Sequence, residues 1–256
     1  MKRLLTILLV TAISSFSSLY AQSVKVSPIE KLTYMGYYNL GFIWIKAGMV
    51  EFVQHPSEKY PDSQFVMATG ETLPTWDNFF KLRDTLYSHF DNETFLPHEF
   101  SRKAHEGSYN KTFDYFFDYK DSTIYGHINK IGSWTRKDSI RMVPDLYDMI
   151  SVAWMSRGID FAAYNKGDKI PIKILLDSEV SELYIRYLGK DKIKLANEKI
   201  ECHIFAPLLV AGEDFTGGEN MKIWVSADEK RIPILVESKI IVGSVKGVLV
   251  PQKSKY

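Results

Sequence analysis

From Leu32 to Val250 the chain alternates. Apolar side chains fall at every second position, and Val, Ile, Thr, Tyr and Phe recur in short runs. Such period-two runs put one face of a strand against a core and the other toward water. The expected strands are Leu32–Leu40 and Phe42–Gln54, a long hairpin turning near Asn39-Leu40-Gly41. Gln64–Thr72, Thr85–Phe90, His98–His105, Thr112–Asp118, Thr123–Ile128 and Trp134–Met142 follow. A second series comprises Lys169–Asp177, Glu182–Gly189, Ile193–Leu195, Ile200–Phe205, Met221–Ser226, Ile232–Ile241 and Val245–Val250. Between them sit turn clusters such as Asp91-Asn92-Glu93-Thr94, Glu106-Gly107-Ser108, Lys120-Asp121-Ser122 and Ala227-Asp228-Glu229. Short strands so closely spaced predict hairpin-linked antiparallel sheet rather than parallel units joined by helices.

One segment changes period. Between Pro144 and Arg157 the apolar residues Leu146, Met149, Ile150, Ala153 and Trp154 recur at helical spacing. Pro144 suits a first helical turn and Gly158 the position just past the end, so the spacing predicts an amphipathic helix over 144–157. A shorter helical turn is expected near 75–82, where Trp76, Phe79 and Phe80 cluster. The fold class is therefore mainly β: one or more strongly curved antiparallel sheets, or an incomplete barrel, with one main helix packed against it. No low-complexity linker, charge block or internal repeat interrupts residues 22–256, which read as a single domain with two β halves joined through the helix.

Composition narrows the class of partner. With 45% apolar, 25% charged and one cysteine, the chain is neither a disordered polymer nor a disulfide miniprotein. Lysine and arginine number 32 against 31 acids, a balance that gives no field for nucleic acid. The first twenty-one residues follow an export pattern: Lys2 and Arg3, an apolar run from Leu4 to Val10 with Ala12 and Ile13, then Ala21 before the expected cut. Serines and a threonine interrupt that run short of the roughly 20 apolar residues a membrane anchor needs. The mature chain is expected to lack a transmembrane segment and to work outside the inner membrane, in the periplasm, with secretion or outer-membrane association as alternatives. There Cys202, alone, reads as a small buried hydrophobe on an alternating strand, with His203 on the opposite face.

The usual catalytic signatures are missing. No Gly-x-Ser-x-Gly, Gly-x-Gly, Cys-x-x-Cys or His-Glu-x-x-His occurs, and the lone Ser-x-x-Lys, Ser108–Lys111, lies in a turn. None of His55, His89, His98, His105, His127 and His203 pairs at a spacing that metal ligation on one strand or helix favours. His105-Glu106 beside Arg102 reads as a surface ionic cluster. Asp145 and Asp148 read as acids at the helix start, complementing its positive end. No metal or cofactor is expected.

Aromatic content is what remains. Fifteen Phe, fifteen Tyr and five Trp exceed what ordinary packing of a β core this size requires. Phe113–Asp118 carries rings on both faces. The rings can be core and cross-strand pairs, or they can line a pocket between a curved sheet and the helix. On the second reading the ligand contacts fall on Trp76, Phe79, Phe80, Tyr115, Phe117, Tyr147, Trp154 and Tyr184.

Several fragments form a familiar pattern. Leu32-Thr33-Tyr34, Gly41 and Ala47-Gly48 open it; Arg83-Asp84, Asp91, Leu96-Pro97, Phe100, Arg102 and Glu106-Gly107 continue it. Ser156-Arg157, Trp224-Val225-Ser226, Asp228 and Arg231-Ile232-Pro233 complete it. Together they resemble an exported bacterial family defined as a domain of unknown function, numbered 3108. That resemblance implies a Gram-negative envelope protein with a β-rich fold and no assigned activity or catalytic residues. More distantly the arrangement is similar to periplasmic lipoprotein carriers, an analogy of architecture. The leading expectation is a non-enzymatic envelope protein binding a hydrophobic small molecule or lipid. The alternatives are a scaffold docking an envelope protein through exposed strand edges, and an envelope hydrolase.

Overall fold

The computed structural model describes residues 29–210 and 217–251, so the expected export segment lies outside the described residues. The first series of strands is β1 (Glu30–Leu40), β2 (Ile43–Pro56), β3 (Ser63–Thr72), β4 (Arg83–Asp91), β5 (Pro97–Glu106), β6 (Tyr109–Asp118), β7 (Thr123–Lys130) and β8 (Trp134–Arg141). After the two-residue β9 (Leu146–Tyr147) and helix α1 (Ser151–Arg157), the second series runs β10 (Lys169–Leu176), β11 (Glu179–Leu195), β12 (Glu198–Pro207), β13 (Met221–Ser226), β14 (Pro233–Lys239) and β15 (Ser244–Leu249). All fifteen belong to one sheet, in the order β8-β7-β6-β5-β4-β3-β2-β1-β15-β14-β13-β12-β11-β10-β9. The two series thus meet at the β1–β15 ladder, where Tyr34 pairs with Leu249 and Tyr38 with Val245. Every ladder is antiparallel except the short β9–β10 contact, where Leu146 pairs with Lys173. Glu182–Gly189 and Ile193–Leu195, expected as two strands, are one long strand, β11, with a bulge between Tyr187 and Gly189.

Chain connectivity forces this sheet to curl. Laid flat, its fourteen interstrand steps of about 4.8 Å would hold β8 and β9 roughly 65 Å apart. Yet the chain passes from Arg141 at the end of β8 to Leu146 in β9 through residues 142–145 alone, a reach of at most about 19 Å. The two edges must therefore approach each other. Among the described residues no ladder joins them, so the barrel stays open along a seam. Side chains cross it instead: Ser178, in the β10–β11 turn, shares a 3.0 Å hydrogen bond with the Tyr115 hydroxyl and accepts one from Arg136 at 3.3 Å. Lys173 donates to the Pro144 carbonyl at 3.0 Å. Close strand approach elsewhere depends on glycine. A Cβ at Gly48 would lie 2.5 Å from the Glu71 carbonyl oxygen.

The helix is shorter than its apolar spacing implies. Leu146 and Tyr147 join the sheet, Asp145 is left-handed at φ 56°, and the helix begins at Ser151. The reason is Asp148. One carboxylate oxygen accepts from the Ile150 and Ser151 amides at 2.7 and 2.9 Å, and the Ser151 hydroxyl accepts from the Asp148 amide, which starts the helix there. Leu146, Ile150 and Trp154 still turn inward, whereas Met149 and Ala153 face out. Gly158 closes the helix with an ordinary φ of −76°, so no left-handed residue is needed there. The turn expected near 75–82 contains a single 3-10 turn, Pro74–Trp76.

Two apolar clusters, or lobes, form the core. One gathers Val66, Phe90, Phe100, Phe113, Tyr115, Phe117, Ile124 and Ile128 from β3–β7 around Leu146, Ile150 and Trp154. The other packs Ile159 and Phe161, just after the helix, against Ile170, Ile172, Ile185, Tyr187, Phe205 and Val225.

Candidate functional site

The eight aromatic residues expected to line one pocket occupy three places. Tyr115, Phe117 and Trp154 are buried together in the first lobe, with Tyr147 packed against it. Trp154 sits with ring centroids 5.8 Å from Phe52 and 6.4 Å from Phe90, and its indole N–H donates to Gln54 at 2.6 Å. Trp76, Phe79 and Phe80 stand elsewhere, on the β3–β4 loop, with Phe79 82% exposed. Tyr184 is on β11, where it donates to Glu219 at 2.6 Å and lies beneath the Lys169 ammonium. Arg186 clamps the same carboxylate and, with Tyr184, pulls the Glu219 pKa down to about 2.

Antiparallel order sends the connections after β1, β3, β5, β7, β10, β12 and β14 to one end of the barrel. Most of the exposed large apolar side chains are on that rim: Phe42, Ile43 and Trp44 at the β1–β2 turn, Ile241 and Val242 at the β14–β15 turn, Phe79 and Phe80 after β3, and Ile131 and Trp134 after β7. Hydrogen bonds hold these tips in place. The Tyr38 hydroxyl donates to the Val242 carbonyl at 3.1 Å, the Trp76 indole donates to the Lys46 carbonyl at 2.7 Å, and the Leu73 amide to Ala47 at 2.9 Å. Gly243, at φ 83°, lets the β14–β15 turn lie against β1, since a Cβ there would meet the Asn39 carbonyl oxygen at 3.0 Å. Single exposed apolar residues are ordinary, but here most of the exposed ones stand at one end of the sheet. Alternation could not reveal it, because it assigns a ring to a face of a strand and says nothing of which turns share an end.

Two polar clusters accompany the rim and the barrel wall. At the rim Arg102 binds Glu106 at 2.6 Å and Asp84 at 3.5 Å; of the cluster expected from His105-Glu106 beside Arg102, Glu106 takes part, Asp84 is added, and His105 joins through its backbone amide. Burial, and then the hydrogen bond and negative charge of Asp84, push Glu106 up to about 7. On the wall, β2–β5 bring together histidines distant in sequence. His89 bonds the Ser57 hydroxyl at 2.9 Å, His98 bonds Ser63 at 3.0 Å, and Tyr60 stacks on His98 at 4.7 Å. Burial lowers the pKa of both histidines. Glu99 accepts from Lys59, Tyr60 and Tyr87. Ser57 also accepts the Lys59 and Tyr60 amides, so its oxygen is committed to a turn. Among the described residues no three His, Cys, Asp or Glu side chains converge to hold a metal ion. Cys202 is fully buried, and its thiol is pushed up to about 11 by burial and neighbouring carboxylates.

The residues that carried the sequence resemblance have structural tasks. Buried Arg157 binds Glu30 at 2.6 and 3.1 Å and donates to the carbonyls of Lys230 and Arg231. Arg231 returns hydrogen bonds to the carbonyls of Arg157 and Ile159 at the helix end. Tyr34 donates to Pro233, and Asp91 accepts from the Glu93 and Thr94 amides. These contacts stitch the helix to the centre of the sheet and pin its turns.

The architecture is that of an open, barrel-like antiparallel sheet wrapped around a short helix. Its backbone is similar to a solved beta-barrel-like protein of the domain of unknown function DUF1849 from Brucella abortus. The TM-score is 0.56 at 9% identity, covering 87% of this chain and 95% of that one, a likeness of fold alone. The chain itself belongs to the family described as protein of unknown function DUF3108, whose model matches residues 33–250. No curated protein matches it in sequence.

Proposed function

We propose that the protein is a non-enzymatic binding protein of the cell envelope whose partner is apolar or amphiphilic, and that the contact surface is the rim rather than the space around the helix. The observation that carries this reading is the gathering of exposed Phe42, Ile43, Trp44, Phe79, Phe80, Ile241 and Val242 at one end of the barrel. The rings around Trp154 are already engaged with one another and with Gln54, which leaves the rim as the apolar surface facing outward. The export pattern of Lys2, Arg3 and the following apolar run supports an envelope setting. Docking through a strand edge is less favoured. The β8 edge carries Arg136, Lys137, Asp138 and Arg141, charges of the kind that discourage strand addition. The Asp84–Glu106 pair, which a hydrolase could use, is held by Arg102, and Asp84 also accepts the His105 amide.

The test is titration with a fluorescent single-chain fatty acid below its micelle concentration, checked by native mass spectrometry. Saturable binding that weakens in Phe79→Ser/Phe80→Ser and in Phe42→Ser supports the rim. Binding that both variants leave unchanged, or none at all, removes it.

A further inference from the structure

The β1–β2 and β14–β15 hairpins lie side by side, and their charge is one-sided. Residues 38–50 and 238–250 contain no acid and three lysines, Lys46, Lys239 and Lys246. The nearest carboxylate in register is Glu237, opposite Lys246, so one acid stands against the three lysines. In the neighbouring β3–β4 loop, Asp77 is neutralised by Arg83 at 2.7 Å. The tips are wholly apolar: Phe42 is fully exposed and Val242 69% exposed.

Resting on the reading of the rim as an amphiphile-binding surface, we infer that its partner is the face of an anionic lipid bilayer, into which these two tips insert. The spacing fits. β3 pairs with β2 only as far as Gly48 and the β3–β4 loop follows it as far as Lys46, so the hairpin projects only beyond Lys46. Lys46, Tyr37, Lys246 and Glu237 form one cross-strand row with two cations and one acid, and Ile43 lies roughly 10 Å beyond it at about 3.3 Å per residue. Interfacial apolar segments sit about 5–10 Å deep, at the boundary of headgroups and acyl chains. With Phe42, Ile43 and Val242 at that depth, the lysines stand at the level of lipid phosphates. The Lys246 ammonium is held 4.2 Å from the Trp44 ring centroid, pairing a cation with the aromatic side chain that favours the interface. A narrow, convex, cationic tip suits a fluid anionic surface better than a rigid protein face, which would bury little of it.

The experiment is co-sedimentation of the full chain with vesicles of phosphatidylglycerol and phosphatidylethanolamine, against vesicles of phosphatidylcholine. Binding is expected to the anionic vesicles, weakening as salt is raised. Phe42→Ser/Val242→Ser is expected to weaken it roughly tenfold or more. Lys46→Gln/Lys239→Gln/Lys246→Gln is expected to abolish the difference between the two vesicle types. Unchanged circular dichroism and melting show that both variants fold. No binding to anionic vesicles, or equal binding by the Phe42/Val242 variant, overturns the inference. So does a wild-type dimer that this variant converts to monomer, which would make a second copy the occupant. The fatty-acid titration separates the two claims: if it succeeds while vesicle binding fails, only the bilayer is wrong; if both fail, the rim reading falls too.

Discussion

The lobe around Trp154 and the rim around Phe42 are both rich in rings, and they use them in opposite ways. In the lobe Trp154 meets Phe52 and Phe90, Phe100 stacks on Tyr115, and among the described residues no buried polar side-chain atom lacks a partner. Trp154 donates to Gln54, and the fully buried Asp148 takes hydrogen bonds from Ser88, Ile150 and Ser151. At the rim Phe42, Phe79 and Phe80 are exposed to water, while the Trp76 indole and backbone hydrogen bonds tie the turns that carry them. The difference teaches that aromatic abundance has no single meaning. Rings that interlock give stability, whereas rings that are held but uncovered give a surface.

The largest test of this contrast is Trp154→Ala. Loss of a packed indole and the cavity it leaves should cost about 3–5 kcal/mol in urea unfolding, and a cost under about 1 kcal/mol would mean the lobe is not packed as described. Asp148→Ala should follow, at about 2–3 kcal/mol, because it strands the Ile150 and Ser151 amides and the Ser88 hydroxyl in the interior. A wild-type-like melting curve would deny Asp148 its part in starting the helix.

Titration sharpens the comparison further. Glu106 at the rim keeps its proton up to about 7, whereas the unfolded chain loses it near 4.5. The folded state therefore binds more protons between those values, and its contribution to stability is present in acid and lost as pH rises through that window. Asp148, pushed up to about 6 by burial, acts with the same sign over a lower window. Glu106→Gln should flatten the decline in stability between pH about 5 and about 7; an undiminished slope would show that Glu106 titrates normally. The smallest effect belongs to the rim's apolar tips. Phe42→Ser and Val242→Ser should shift stability by no more than about 0.5 kcal/mol, and a larger loss would show that these side chains are covered in the folded protein.

Much of the fold was legible because sheets write themselves into alternation. Strands such as Thr123–Lys130 and Met221–Ser226 stand close to where period two and turn residues put them. The start of the helix was misplaced because Leu146, Ile150 and Trp154 satisfy helical spacing while Leu146 lies in a strand; pattern records which side faces the core and not which backbone delivers it. Of the site, the apolar residues of the β3–β4 loop were noticed but assigned inward. Phe42 opens one expected strand and Val242 follows another, and neither pattern says that the two turns share an end. His55, His89 and His98 likewise share a wall only because their strands pair in a particular register.

The order of residues alone determined that this is a β-rich chain with one helix, the approximate limits of most strands, and membership of the family whose model matches residues 33–250. Those are local matters of pattern and turn chemistry, settled within a few residues. The tertiary structure decided that all fifteen strands form one curled, unclosed sheet, that Trp154 is core, and that Phe42 and Val242 share a rim. Which turns end up side by side depends on strand order, and strand order is fixed by contacts between residues as much as two hundred positions apart, such as Tyr38 and Val242.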